Sequence, residues 1–326
     1  GTTTMARMNS RVMRAWATLE IAAELYRRQM FNLGSAVMLS IWSSKEEETS
    51  HPPLRLGVGG EVMGGMLAPI EVGKRHIDVA YVNPSAIVTM AYRGKGFYKR
   101  KLPLRALGSF PSWDKIAFAV SKDLKIKSLW DIVENKIPLK VSTRCSKFPN
   151  CTYYAITKIL SLYGITFKKM QQWGGRVQEV DHPSGLTRRN RIIQRKVDAI
   201  FDEGITRWLD LALANGYEVL HLENDIRRKM ETLGYKRSII PKKKYPRLKE
   251  DVRTLDFSGW PIITHRWLSD EMAYAICESI YARRNAFPVD DTRLNMREFC
   301  RNTEEAPLGI PLHPGARKYF KEKGYL

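Results

Sequence analysis

The run His76 to Ala86, His-Ile-Asp-Val-Ala-Tyr-Val-Asn-Pro-Ser-Ala, stays apolar and β-branched until it breaks at Asn83-Pro84-Ser85. Apolar positions without polar alternation predict a strand buried on both faces, and the break predicts a polar turn. Such a strand needs a covering layer on each side, so the fold class is α/β. In open α/β sheets ligands sit beyond the carboxyl ends of the strands, which places Asn83 and Ser85 where a ligand would be. The pattern returns at Lys196 to Gly204, where Val197 to Phe201 ends in Asp202-Glu203-Gly204. Two such units suggest two similar lobes facing one cleft.

Taken in order, residues 12 to 29 carry Trp16, Leu19, Ala22, Ala23 and Tyr26 at helical spacing opposite Arg14, Glu20, Arg27 and Arg28, which predicts an amphipathic core-packing helix. A strand is expected within 30–42, a loop over 43–53, and a short strand from Leu54 to Val58 entering Gly59-Gly60. Those glycines suit a cleft-lining turn but fit no dinucleotide or phosphate-loop spacing. Ser85 is expected to cap a helix through Tyr92. Strands are expected at 104–110 and 116–120, with the turn Pro111-Ser112-Trp113-Asp114 between them offering an aromatic and a carboxylate. Trp113 serves a ligand or ordinary packing equally well.

Ile137 to Thr143 predicts a strand closing on Arg144, followed by a helix over 152–163 whose backbone N–H groups, with Arg144 beside them, suit an anion. Asp202 and Glu203 at a strand end suit acid/base work, the holding of an ammonium or hydroxyl group, or the positive end of the next helix. The basic run from Lys236 to Lys249 reads as an exposed loop. Val252 to Phe257 predicts a strand leading through Ser258-Gly259-Trp260, and Ser269 caps a long helix from Asp270. His313 between two prolines reads as a rigid turn.

Composition narrows the picture. The 54 Lys and Arg against 34 Asp and Glu leave a formal charge of +20, which fits a solvated basic surface, an acidic ligand, or a polyanion. No zinc spacing, aromatic RNA-binding signature or helix-turn-helix accompanies the charge, so no nucleic-acid partner is expected. Cys145, Cys151, Cys277 and Cys300 make no metal cluster, and no metal or cofactor is expected. Cys145 and Cys151 share a loop and could pair in an oxidising compartment, with free thiols the default. No apolar run reaches the roughly 18 residues of a membrane span. Arg27-Arg28 and the following apolar stretch imitate a secretion leader but sit too far along the chain.

Several pieces together resemble one family. They are Ile77-Asp78-Val79-Ala80 with Asn83-Pro84-Ser85, Tyr92-Arg93-Gly94-Lys95-Gly96, Ser128-Leu129-Trp130-Asp131-Ile132, and Ile310-Pro311-Leu312-His313-Pro314-Gly315-Ala316 with its following helix. In this order they resemble the TAXI-type solute-binding receptors of TRAP transporters, of which the chain looks like a divergent member. The resemblance implies a two-lobed, class II periplasmic-binding-protein-like fold of mixed, mainly parallel sheets flanked by helices. It implies lobe 1 from 1–120 plus 256–326, lobe 2 from 121–255, and an N-terminal helix and loop over 1–50. The implied ligand contacts are Gly59, Gly60, Asn83, Ser85, Ser112 and Trp113 on one lobe and Thr143, Arg144, Asp202 and Glu203 on the other, with Ser258 and Trp260 at the hinge. Arg144 would meet a carboxylate and Glu203 an amine.

The implied function is capture of a small organic acid or amino-acid-like solute, with TRAP membrane subunits as partners, or solute sensing. The resemblance implies a periplasmic place, and the lack of a convincing leader leaves a cytoplasmic one open. The rival reading is an enzyme on the same fold, similar to pyrimidine-precursor synthases of thiamin biosynthesis, with Asp202 or Glu203 as acid/base. No His, Lys or Cys set clusters with them in sequence, so no catalytic residue is assigned and the non-enzymatic reading leads.

Overall fold

The computed structural model describes residues 10–31, 36–38, 54–57, 65–146, 149–287 and 294–326. The expected loop at 43–53 and the turn at Gly59 and Gly60 lie outside the described residues. In chain order the elements are α1 (Ser10–Arg27), β1 (Ala36–Met38), β2 (Arg55–Gly57), α2 (Ala68–Gly73), β3 (Val79–Tyr81), α3 (Ser85–Arg93), β4 (Leu104–Phe110), β5 (Ala117–Ser121), α4 (Leu129–Glu134), β6 (Lys140–Arg144), α5 (Cys151–Leu162) and α6 (Phe167–Gln172). There follow β7 (Arg176–Val180), α7 (Leu186–Ile193), β8 (Ala199–Asp202), α8 (Leu209–Ala214), β9 (Tyr217–Val219), α9 (Asn224–Glu231), β10 (Arg237–Ile240), β11 (Val252–Leu255), β12 (Trp260–His265), α10 (Asp270–Ala282), α11 (Met296–Phe299) and α12 (Pro314–Glu322).

The chain divides into two units, Gly1–Trp113 with Ser258–Leu326, and Asp114–Phe257. Each unit is built on a five-stranded mixed sheet flanked by helices, the α/β class that the apolar runs predict. The first sheet runs β1-β2-β3-β12-β4, with β12 antiparallel to both neighbours. The second runs β7-β6-β8-β5-β9, with β5 antiparallel to both neighbours. In each, three strands run parallel on one side of the reversed strand and one lies on the other. The reversed strand is the one by which the chain enters its unit, β5 after the first passage and β12 after the second.

Local chemistry sets the element ends. Ser128 caps α4 by accepting the Trp130 N–H at 3.1 Å, while Asp131 accepts the N–H groups of Lys127 and Ser128 at 2.8 and 3.2 Å. Asn150 caps α5 through the N–H groups of Thr152 and Tyr153, and Ser269 caps α10 through Met272. Ser85 does not cap α3. Its hydroxyl donates to the Pro307 carbonyl instead, and its N–H reaches the Ser258 carbonyl at 3.2 Å.

Two further expectations need correcting. Helix α1 forms, but its buried face is Met13, Ala17, Ile21, Ala22 and Leu25, whereas Leu19 and Tyr26 lie exposed. The face turns because Arg14, Thr18 and Glu24 are buried too. Glu24 is held by Arg27, Arg28 and Arg283, the residue that follows α10, so its charge is satisfied inside. The basic run is not all loop, since Arg237–Ile240 forms β10 and pairs antiparallel with β11. The four cysteines are free thiols. Among the described residues, no helix is long and apolar enough to cross a membrane.

The closing His-Pro-Gly turn is a joint. His313 accepts the Gly315 N–H on Nδ1 at 3.1 Å and donates from Nε2 to the Leu268 carbonyl at 2.8 Å, which fixes one neutral tautomer. A Cβ on Gly315 would stand 2.2 Å from the Asp270 carbonyl oxygen, so only glycine lets α12 approach the start of α10 this closely.

Candidate functional site

In the second unit the register of β6 with β8 pairs Thr143 with Phe201, so the two parallel strands end together at Arg144 and Asp202. Helix α5 begins beside them at Cys151. β8 is an apolar run, Ala199-Ile200-Phe201, that stops at Asp202, and β6 carries the β-branched Val141 and Thr143 ahead of Arg144, which leaves the charges at the sheet's carboxyl edge.

These charges are not solvated. Arg144, Arg188, Asp114, Asp202 and Glu203 are each at most 7% exposed. Arg144 donates from Nη2 to Glu203 Oε1, and its Nε lies 3.6 Å from Asp202 Oδ1. Arg188 on α7 pairs with the other oxygen of Asp202 and donates from Nε to the Ser142 hydroxyl at 2.8 Å. The Thr152 hydroxyl reaches Glu203 at 3.3 Å from the first turn of α5, whose positive end suits a carboxylate. Asp114 accepts the N–H groups of Lys115, Gly204 and Ile205 at 2.8, 2.8 and 3.2 Å. Its carboxyl is pushed well above the usual carboxylate range, first by burial and then by the neighbouring Glu203. Breaking one member out of such a buried set leaves an uncompensated charge, which typically costs about 3–5 kcal/mol.

Thr143, Arg144, Asp202 and Glu203 are thus brought together. They differ in what they have left to offer. The Thr143 hydroxyl is spent on the Phe201 carbonyl at 2.8 Å, stitching β6 to β8. Asp202 is 0% exposed and shared between two arginines and the Glu203 N–H. Arg144 and Glu203 remain the members at the strand ends whose exchangeable contact is with each other.

In the first unit, Asn83 and Ser85 follow β3 across a cis peptide bond between Asn83 and Pro84. Ser112 and Ser258 lie next to them through the backbone: Gly259 donates to the Ser112 carbonyl at 2.9 Å, and Ser85 to Ser258. Asn83 Oδ1 is buried and has no hydrogen-bond partner among the described residues. Trp113 is half-buried. Trp260 packs toward α1, with the Arg14 guanidinium 4.9 Å above its ring.

Sequence reasoning missed Arg188, Ser142 and Thr152, and offered the Asp114 carboxylate as a ligand contact in its turn rather than as a member of this cluster. The signal for Arg188 was faint. Arg188 and Ile192 share the buried face of α7, while the apolar Leu186 is 71% exposed, so the helix packs by its arginine.

Solved structures resemble the chain at low identity. A Xanthomonas citri protein solved with chloride is 9% identical, with 97% of this chain and 92% of that one covered and a TM-score of 0.45. The glycine betaine/L-proline-binding protein of an ABC transporter from Borrelia burgdorferi is 12% identical over 77% and 71%, with a TM-score of 0.37. An ancestral arginine-binding protein solved with arginine is 12% identical over 82% of each chain, with a TM-score of 0.32. The profile of the NMT1-like family matches residues 61–324, through the closing helix α12, and the chain belongs to the NMT1-like family.

Proposed function

We propose that this protein binds a small carboxylate-bearing or zwitterionic solute and does no chemistry on it, as a receptor of a TRAP-type transporter or as a solute sensor. The observation that carries the reading is the pairing of Arg144 with Glu203 at the joint carboxyl end of β6 and β8, beside the start of α5. A guanidinium suits a carboxylate, a carboxylate suits an ammonium, and ligands of α/β sheets collect at this edge. Within the first unit, Asn83 Oδ1, a buried acceptor without a partner among the described residues, is that unit's own candidate for a polar contact. The remaining proposed contacts there are Ser85, Ser112, Trp113, Ser258 and Trp260, with Gly59 and Gly60 ahead of them in the chain.

The test is native mass spectrometry of gently purified protein, followed by thermal shift against succinate, pyruvate, L-glutamate and L-arginine. A small molecule that leaves on unfolding, and a rise of melting temperature with solute concentration, is the expected result. Protein that arrives empty and is unmoved by every solute overturns the reading.

A further inference from the structure

Three segments of the first unit meet at one edge of its sheet. Because β12 runs antiparallel to β3 and β4, pairing Thr264 with Val79 and His265 with Leu104, the end of β12 lies beside the starts of β3 and β4. The Arg266 N–H continues this pairing to the Pro103 carbonyl at 3.0 Å. Helix α2 ends against the same residues, since a Cβ on Gly73 would stand 3.4 Å from Leu102 and 3.6 Å from Pro103. The edge thereby gathers Lys74 and Arg75, then Lys99, Arg100 and Lys101, then Arg266, all of them exposed. It is the edge opposite Asn83 and Ser85, which follow the carboxyl end of β3.

Trp267 stands among these cations and is 46% exposed. The guanidinium carbons of Arg266 and Arg75 lie 4.7 and 5.3 Å from its ring centre. Neither guanidinium has an ion pair or a side-chain hydrogen bond among the described residues. The nearby carboxylates are engaged elsewhere: Glu71 with His76, and the buried Asp78 with His265 and Arg55. Asp270 and Glu271, exposed in the first turn of α10, offset part of the charge. Two like charges against one ring repel, and a half-exposed indole leaves apolar area in water. Both costs fall when the ring and its arginines meet a medium that is anionic and partly apolar.

We propose that this edge docks the protein on an anionic lipid surface, with the Trp267 indole at headgroup level and Arg75, Arg266 and the neighbouring lysines on the lipid phosphates. An indole, apolar in body and polar at its N–H, suits that depth, and each Lys or Arg beside it adds attraction to an anionic bilayer. The composition argues against a protein partner here. Cores of protein interfaces are poor in charge and in lysine, whereas this edge sets a single aromatic among cations. Docking by this edge keeps Asn83 and Ser85, at the opposite edge of the sheet, away from the lipid, and it holds whatever solute the protein binds.

The experiment is co-sedimentation of the full chain with vesicles of phosphatidylcholine alone and of phosphatidylcholine mixed with phosphatidylglycerol, at low and at high salt. Binding to the mixed vesicles only, weakened by salt, is expected. Arg75→Gln combined with Arg266→Gln is expected to weaken it roughly thirtyfold, and Trp267→Ala about tenfold. These side chains are exposed, so unchanged melting temperatures are expected alongside. Lys243→Gln combined with Lys249→Gln removes the same charge from exposed positions of the second unit and is expected to leave binding nearly unchanged. An equal loss in that control overturns the proposal, because the attraction would then belong to the net charge of +20 and not to this edge. Trp267→Ala that binds as tightly as the unsubstituted protein overturns it too. So does absence of binding to the mixed vesicles; retention on poly-L-glutamate that depends on Arg75 and Arg266 would then give the edge to an acidic protein.

Discussion

Gly204 carries the turn that aims Glu203. It has φ of +64°, where a side chain meets its own backbone, and a Cβ there would stand 2.6 Å from Cγ of Pro183. Pro183 in turn lends its carbonyl to Arg188 at 3.4 Å, so pushing it away disturbs the charge cluster from behind. Gly204→Ala is expected to cost about 2–3 kcal/mol in urea unfolding, from backbone strain and overpacking together. Gly324, at φ of +73° with nothing within 4 Å of its Cβ position, is the control. Gly324→Ala should show the backbone cost alone, about 1 kcal/mol. Equal losses at the two sites would show that Pro183 yields freely. At this scale the sequence offers the charge-ended strands at Arg144 and Asp202, because a β-branched or apolar stretch that stops at a charge is visible in one dimension. It hides Arg188, because which arginine turns inward depends on the carboxylate it finds across the sheet.

Among elements, the joint between α10 and α12 has the clearest pH signature. Burial lowers the proton affinity of His313 below the ordinary histidine value, and its two ring bonds need one neutral tautomer. A group with a lowered folded value binds its proton more readily when unfolded. Its contribution is therefore complete above about pH 6.5 and is eroded as pH falls below that. Asn at the same position still caps a helix but lacks the reach of Nε2 to Leu268. His313→Asn is expected to lose about 1–2 kcal/mol at about pH 7.5 and to show a shallower fall in melting temperature between about pH 7.5 and pH 5.5. An unchanged slope would mean that His313 does not set it. The Pro-Leu-His-Pro-Gly-Ala motif was legible as a rigid turn because proline and glycine carry their backbone constraints in their own chemistry. Helix α1 was legible as a helix, but not in its orientation. Its hydrophobic spacing fits more than one face, and the choice is made by Glu24 finding Arg283 far along the chain.

At the scale of the whole molecule the two units differ in how the chain builds them. Every strand of the β7-β6-β8-β5-β9 sheet comes from the single segment Asp114–Phe257. The ends of that segment already meet: Phe257 donates to the Asp114 carbonyl at 3.0 Å, Ile116 to Leu255 at 3.2 Å, and Lys115 pairs with Asp256. Adjacent termini and a private core are the marks of a segment that folds alone. The first unit lacks this independence, since β12 lies between β3 and β4 and comes from the far side of the second segment. Residues 114–257 expressed alone are therefore expected to give a cooperative urea transition and the far-ultraviolet signature of a mixed α/β unit. Residues 1–113 alone, with β3 and β4 deprived of the strand that pairs with both, are expected to unfold without cooperativity. A 114–257 fragment without a cooperative transition would mean that its core needs the rest of the chain.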